Sequence, residues 1–264
     1  MITAESIFSD LTKIREQSPL VHNITNFVVM NNTANALLSL GASPVMAHAV
    51  EEVRDMVKIA ASLVINMGTL NPQWVEGMIQ AGKSARQKGI PIVFDPVGVG
   101  ATPYRNETAK KILTECQPGI IRGNASEIMA LVNTSSTTKG VDSTQTSTSA
   151  LDSARVLAKK NKAIVIISGA EDYITNGNEV IIIRNGATMM SRVTGMGCTA
   201  TAITAAFAAV NSNFLKASAH AMAIMGIAGE LAAQKASGPG SMQMHFLDTL
   251  FNLSIETIKK VFLP

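Results

Sequence analysis

The chain has 264 residues, enough for one large domain or two small ones, and with 47% apolar and only 16% charged residues much of it is expected to be buried in a thick core or between subunits. A net charge of +3 without any run of Lys and Arg argues against a nucleic-acid partner. Two cysteines, Cys116 and Cys198, are too few for a disulfide framework, and the N-terminal MITAESIFSDLTKIREQ carries charges where a secretory segment is apolar, so the cytoplasm is the expected address.

Residues 20–50 hold no Asp, Glu, Lys or Arg, but asparagines at 23, 26, 31, 32 and 35 are too much uncompensated amide for a lipid-facing span of ~20 residues. No membrane partner is expected. HNITNF reads as an amide-rich loop, overlapping the helix-like NFVVMNNTANALLSLG. Short β-branched runs then alternate with segments of helical spacing. LVINMG (63–68), IPIVFDPVG (90–98), GIIRGN (119–124), AIVIISG (163–169) and EVIIIRNG (179–186) are predicted strands; PQWVEGMIQAGKSARQKG, TAKKILTECQ, SEIMALV and SALDSARVLAKKN are the helices between them. That order predicts an α/β fold with a largely parallel sheet.

NTSSTTKGVDSTQTSTS (133–149) has no periodicity and reads as a surface loop. EDYITNGNEVIIIRNG predicts a hairpin turning at Asn176, Gly177 and Asn178. Beyond Cys198, TAITAAFAAV, KASAHAMAIMGIAGELAAQKA and FLDTLFNLSIETIKKVF are helical in succession. Residues 193–215 are charge-free and mostly Ala and Thr, which suits a helix enclosed by protein on all sides.

The distinctive polar groups fall at carboxyl ends of predicted strands, the edge where open parallel sheets bind ligands. Asp95, in IVFDPVGVGA, fits a turn-forming cap and equally an acid facing a phosphate or a magnesium ion. In RGNASE, Asn124 and Glu127 have capping-box spacing, while Glu127 beside Asp95 and Arg122 also makes the set a magnesium nucleotide needs. In VTGMGCTATA (193–202), Gly195 and Gly197 let the backbone approach a ligand, and the amides of residues 195–198 open a helix whose positive end favours an anion. No Lys-Ser or Lys-Thr follows, so it is not a Walker loop. Cys116 and most of the fourteen methionines, Met46 among them, suit packing on residue type alone, and His22 and His48 lack metal-ligand spacing.

TGMGC after a hairpin, together with DPVGVGA, RGNASEI and HNITNFVVMNNTANALLSLGASPVMAHAVEEV, resembles the hydroxyethylthiazole kinases, the thiazole-salvage members of the ribokinase-like superfamily. The likeness runs over nearly the whole chain, from about residue 19 to the C-terminal helices. It implies a single ribokinase-like kinase domain, 1–264, with helices on both faces of the sheet. It further implies phosphorylation of the primary alcohol of 4-methyl-5-(2-hydroxyethyl)thiazole by magnesium ATP, feeding thiamine biosynthesis, and a homotrimer with sites between subunits. By the same resemblance Asn26 and Met46 contact the thiazole and Gly195 lies near the substrate hydroxyl; Arg122, Ser168 and Gly197 belong to ATP, and Asp95 and Glu127 to magnesium. The family commonly has Thr where this chain has Ser168.

Cys198 matches the position at which many superfamily relatives place an Asp as general base. A thiol of reference pKa ~8.5 serves there only if the helix N-terminus lowers that value. Otherwise Cys198 acts chiefly by position, with magnesium, Arg122 and the backbone amides supplying the stabilisation. Two alternatives stay open: a kinase of another small alcohol such as a hydroxymethylpyrimidine, against which TGMGC and HNITN argue, and a non-catalytic binder of ATP or thiazole.

Overall fold

The computed structural model describes residues 2–134 and 147–263. In chain order the elements are α1 (Ala4–Gln17), β1 (Leu20–Ile24), α2 (Met30–Leu40), β2 (Ser43–Val45), α3 (Val53–Ile59), β3 (Ser62–Asn66), α4 (Pro72–Lys88), β4 (Ile92–Asp95), α5 (Pro103–Glu115), β5 (Ile120–Asn124), α6 (Ala125–Thr134), α7 (Ser147–Asn161), β6 (Ile164–Ser168), β7 (Asp172–Thr175) and β8 (Val180–Ile183). A 3-10 turn, Thr188–Arg192, leads into α8 (Met196–Val210), α9 (Phe214–Lys235), α10 (Pro239–Asn252) and α11 (Ile255–Val261).

One eight-stranded sheet runs in the order β2-β1-β3-β4-β5-β6-β7-β8. It is parallel through β6 and antiparallel at β7 and β8. Alternate strand residues feed two cores. Val64, Val93, Ile120 and Ile166 pack with helices α1, α2 and α8 to α11, while Leu63, Ile65, Phe94, Ile121 and Val165 pack with α3 to α7. Burial on both faces is why these strands read as continuous β-branched runs instead of alternating ones. The predicted hairpin is present, closed by residues 176–179 between the pair Thr175 and Val180, with Gly177 at φ 93 where a side chain would be strained.

Several boundaries differ from the sequence reading. HNITNF is half strand: β1 runs through His22 and Asn23, both buried, and only the residues after Ile24 form the loop. Strand β2 is three residues with Pro44 in the middle, tolerable because it lies at the sheet edge. Helix α5 begins earlier than expected, at Pro103, since Thr102 caps it by accepting the Arg105 N–H at 3.3 Å. The last helix is broken at Ser254, whose hydroxyl starts α11 by accepting the Thr257 N–H. Of the Ser/Thr-rich stretch, residues 135–146 lie outside the described residues, and both flanks are helical, in α6 and α7. Among the described residues no helix is long and apolar enough to cross a membrane.

Helix α8 is enclosed as expected, with every residue from 199 to 208 buried. Cys116 is fully buried, and a methyl group added at Gly82 of α4 would collide with its sulfur, so it belongs to the packing.

Candidate active site

The parallel register sets the carboxyl ends of β3 and β4 side by side, with Asn66 opposite Asp95, and those of β5 and β6 likewise, with Asn124 opposite Ser168. Asp95 is 1% exposed. Its Oδ2 accepts the Thr201 hydroxyl at 2.7 Å and the Asn66 amide at 3.0 Å. Asn66 Oδ1 in turn accepts the Asn26 amide at 2.9 Å, and the same Asn26 nitrogen reaches Cys198 Sγ at 3.4 Å. Thr201 and Cys198 are three residues apart on α8, so the bonds form a closed ring from α8 through β4, β3 and the β1 loop back to α8. Burial pushes the Asp95 carboxyl up to about 6, with Glu127 adding to the rise against the pull of Arg122, Thr201 and Asn66.

Helix α8 starts without a side-chain cap; its N-cap, Gly195, has φ 84, and residues 195–198 line the cleft. A Cβ at Gly195 would stand 2.8 Å from Val29 Cγ1, and one at Gly197 2.6 Å from Arg122 Nη1. Both glycines are therefore required for close approach. Arg122 donates from Nη2 to Ser168 Oγ at 2.5 Å and lies 3.9 Å from Asp95 through Nη1. Asp172, at the start of β7, accepts the Gly169 N–H at 3.1 Å. Its carboxyl is also pushed up to about 6 by burial, with the Gly169 bond and the Arg122 charge opposing.

Glu127 is a cap and a cleft carboxylate together. Asn124 Oδ1 accepts the Glu127 N–H and Glu127 Oε2 accepts the Asn124 N–H, each at 2.9 Å, completing a capping box, while Glu127 Oε1 accepts the Gly98 N–H at 3.0 Å. Both oxygens thus hold backbone donors, so a Gln at 127 cannot keep every bond.

Asp95, Arg122, Glu127, Ser168, Gly195, Gly197 and Cys198 line one cleft of about 760 Å³. Asn26 borders it through its bond to Cys198. Met46 is not brought to it: it follows edge strand β2, half-buried, outside the residues lining this cleft. The Cys198 thiol is pushed up to about 11 by burial, with the Asp95 charge adding and the Asn66 and Asn26 amides opposing. That direction is opposite to the lowering a base role requires, so the thiol stays protonated at neutral pH.

Four contributors were missed from the sequence. Asn66 and Thr201 hold Asp95, and Asp172 holds the turn carrying Ser168. Arg105 ties the β3 and β4 loops together, donating to Met67 O and Val97 O at 2.6 Å and to Gly68 O at 2.8 Å.

A cleft at the carboxyl edge of a doubly flanked parallel sheet, with an arginine, two carboxylates and a glycine-opened helix, is the arrangement of a ribokinase-like kinase. A ribokinase-like superfamily protein of Enterococcus faecalis, 15% identical, shares this fold with a TM-score of 0.65 over 100% of this chain and 92% of that one. The family model described as the hydroxyethylthiazole kinase family matches residues 11–256. Hydroxyethylthiazole kinase of Syntrophus aciditrophicus is 55% identical over 260 residues, 98% of this chain and 96% of that protein. The solved structure of the hydroxyethylthiazole kinase protein from Pyrococcus horikoshii OT3 is 40% identical, with a TM-score of 0.91 and 98% of both chains covered. The chain belongs to the hydroxyethylthiazole kinase family.

The Asp172 shift has a measurable consequence. A carboxyl whose folded value, about 6, exceeds its unfolded 3.8 contributes stability that is fully present below pH 4 and lost as pH rises through 6, about 3 kcal/mol in total. Asp172→Asn keeps the acceptor for Gly169 but cannot ionise. Denaturant titrations of both proteins should show the variant gaining on the wild type between pH 4 and 6 and holding a constant lead above; a lead independent of pH refutes the assignment.

Proposed function

We propose that the protein transfers the terminal phosphoryl group of ATP, with magnesium, to the hydroxyl of 4-methyl-5-(2-hydroxyethyl)thiazole, serving thiazole salvage for thiamine biosynthesis in the cytoplasm. The observation carrying this reading is the convergence of Asp95, Arg122 and the uncapped α8 terminus on one cleft. Magnesium fits the donors: Asp95 Oδ1 is buried without a protein partner, and Glu127 stands close enough to raise the Asp95 pKa. Among the described residues no group of three or more His, Cys, Asp or Glu could cage a metal. Two carboxylates without a cage suit a cation that keeps water and phosphate oxygens as ligands. When bound, the ion neutralises charge on the transferring phosphate.

The chain's own groups do the rest. Arg122 offers planar donors to phosphoryl oxygens, and Ser168 fixes its direction. The amides of Gly197 and its neighbours meet developing negative charge from the opposite element. The phosphoryl transition state is loose, so the alcohol gives up its proton late and needs no strong base. Cys198, held by Asn26, then shapes the place of the hydroxyl beside Gly195.

Met46 lies outside the lining of this cleft but just past the end of β2, beside β1 whose loop carries Asn26, and a second chain would complete a thiazole pocket there. Phe27 and Val28, each 63% exposed, follow Asn26 directly and, with Leu38 of α2, 58% exposed, offer apolar surface for such a neighbour. A homotrimer with sites between subunits is the proposed assembly. Light scattering at micromolar concentration should give the trimer mass, and a fully active monomer would defeat this part.

A coupled ATP-consumption assay should show turnover with the thiazole alcohol and little with a hydroxymethylpyrimidine; no stimulation by the thiazole sinks the reading. Asp95→Asn can accept from Thr201 and Asn66 as before while losing the charge. It should fold, titrate magnesium weakly and lose about 100-fold or more in kcat; an unchanged magnesium titration removes Asp95 from the metal.

Cys198→Ala should lose only part of the rate, while Cys198→Asp, which sets a second carboxylate beside Asp95, should lose more. A folded Asp variant faster than the parent, judged by circular dichroism and steady-state kinetics, would overturn the neutral positional role.

A further inference from the structure

The far wall of the cleft is not part of the sheet. Residues 185–191, between β8 and α8, line it through Asn185, Gly186, Ala187, Thr188, Met190 and Ser191. Asp95 lies at the end of β4 and Asn185 just beyond the end of β8, four strand spacings away, roughly 19 Å. Asp95, Arg122 and Glu127 gather at the β4 and β5 end, whereas Met190, with Met222 and Met225 of α9, makes the β8 end apolar. On the ATP reading, phosphates take the first end and the flat base takes the second.

This wall depends on one face of α9. Glu230 Oε1 accepts the Gly186 N–H at 2.9 Å and its Oε2 accepts the Asn185 amide at 3.1 Å. Asn185 is 4% exposed, and its remaining groups are also used: Nδ2 donates to Val261 O at 2.9 Å and Oδ1 accepts the Leu263 N–H at 3.1 Å. Gly226 lies one turn before Glu230 and Gly229 directly precedes it. A methyl group at Gly226 would collide with Asn185 O, and one at Gly229 with Met190 Sδ. The wall segment is thus laid on two bare helix positions and pinned by the carboxylate that follows them.

We propose that Glu230, acting through Asn185 and Gly186, is a positioning residue for the base-binding end of the nucleotide cleft, setting affinity for ATP and discrimination among nucleobases with little influence on the transfer step. Glu230 is not among the residues lining the cleft, so its loss should appear in the nucleotide terms alone. The inference rests on the ATP-dependent kinase reading above.

The test is steady-state kinetics of Glu230→Ala and Glu230→Gln with ATP, GTP and the acceptor alcohol varied in turn, beside calorimetric binding of a non-hydrolysable ATP analogue. Glu230→Gln keeps one acceptor and presents a donor to the Asn185 amide, so it is the milder change. The expected result is a KM for ATP raised about 3-fold by Gln and about 10-fold by Ala, with a matching loss of analogue affinity and a narrowed ATP preference over GTP. The KM for the alcohol and kcat at saturating ATP should stay within about 2-fold. Gly226→Ala, which displaces Asn185 while leaving Glu230 intact, should reproduce the ATP effect.

A purely structural role instead lowers kcat through a smaller folded fraction and leaves both KM values unchanged, and that pattern overturns the proposal. If Glu230→Ala fails to fold, Glu230→Gln decides: an unaltered KM for ATP in that variant is equally fatal. Failure of the wild type to saturate with any nucleoside triphosphate would reject the kinase reading itself, a different outcome from a wild type that saturates normally and variants that match it.

Discussion

Everything at the cleft depends on keeping one carboxylate, Asp95, dry. Burying it costs enough to push its pKa up to about 6, even with Arg122 nearby and two donors on Oδ2. The ring through Thr201, Asn66, Asn26 and Cys198 is what makes that burial tolerable, and it fixes the distances between four elements as it does so. The other oxygen, Oδ1, is left without a protein donor. An acceptor held in place, desolvated and unsatisfied is poised to take a strongly charged partner, because little reorganisation remains when the partner arrives.

The two α8 residues of the ring answer the question of why a cysteine follows the glycine turn. Sulfur accepts the long 3.4 Å contact from Asn26 without adding a second negative charge beside Asp95. A thiolate there would repel the carboxylate, which is part of why the thiol is held up near 11. Position 198 therefore contributes shape and a neutral neighbour, and the electrostatic work falls to Arg122 and the helix amides.

How much of this was legible follows from how each residue is placed. Strands β3 to β6 announced themselves because burial on both faces leaves uninterrupted β-branched runs. Strand β1 did not, since His22 and Asn23 break its apolar run, His22 donating from Nε2 to Ala47 O at 2.7 Å and Asn23 donating to Val21 O at 2.8 Å. Asp95, Arg122, Glu127 and the glycine turn stood out because each lies within three residues of a strand end or a helix start. Asn66 ends a strand too, but one amide after an apolar run looks like punctuation. Thr201 was hidden within an Ala/Thr helix, and only the fold shows its hydroxyl aimed at β4. The tertiary register that pairs Asn66 with Asp95 has no local signature at all.

The sequence separations within the ring carry a consequence for how the molecule comes into being. Its bonds span 29, 40, 106 and 172 residues. Contacts that distant close after local structure has formed, and a chain emerging from its N-terminus builds β1 to β4 before residue 201 exists. Without α8 in place Asp95 would lose its Thr201 partner and part of the burial that raises its pKa. Insertion of the Ala- and Thr-rich helix therefore coincides with desolvation of the site, and the folding step that completes the core is the same step that prepares the cleft for its charge.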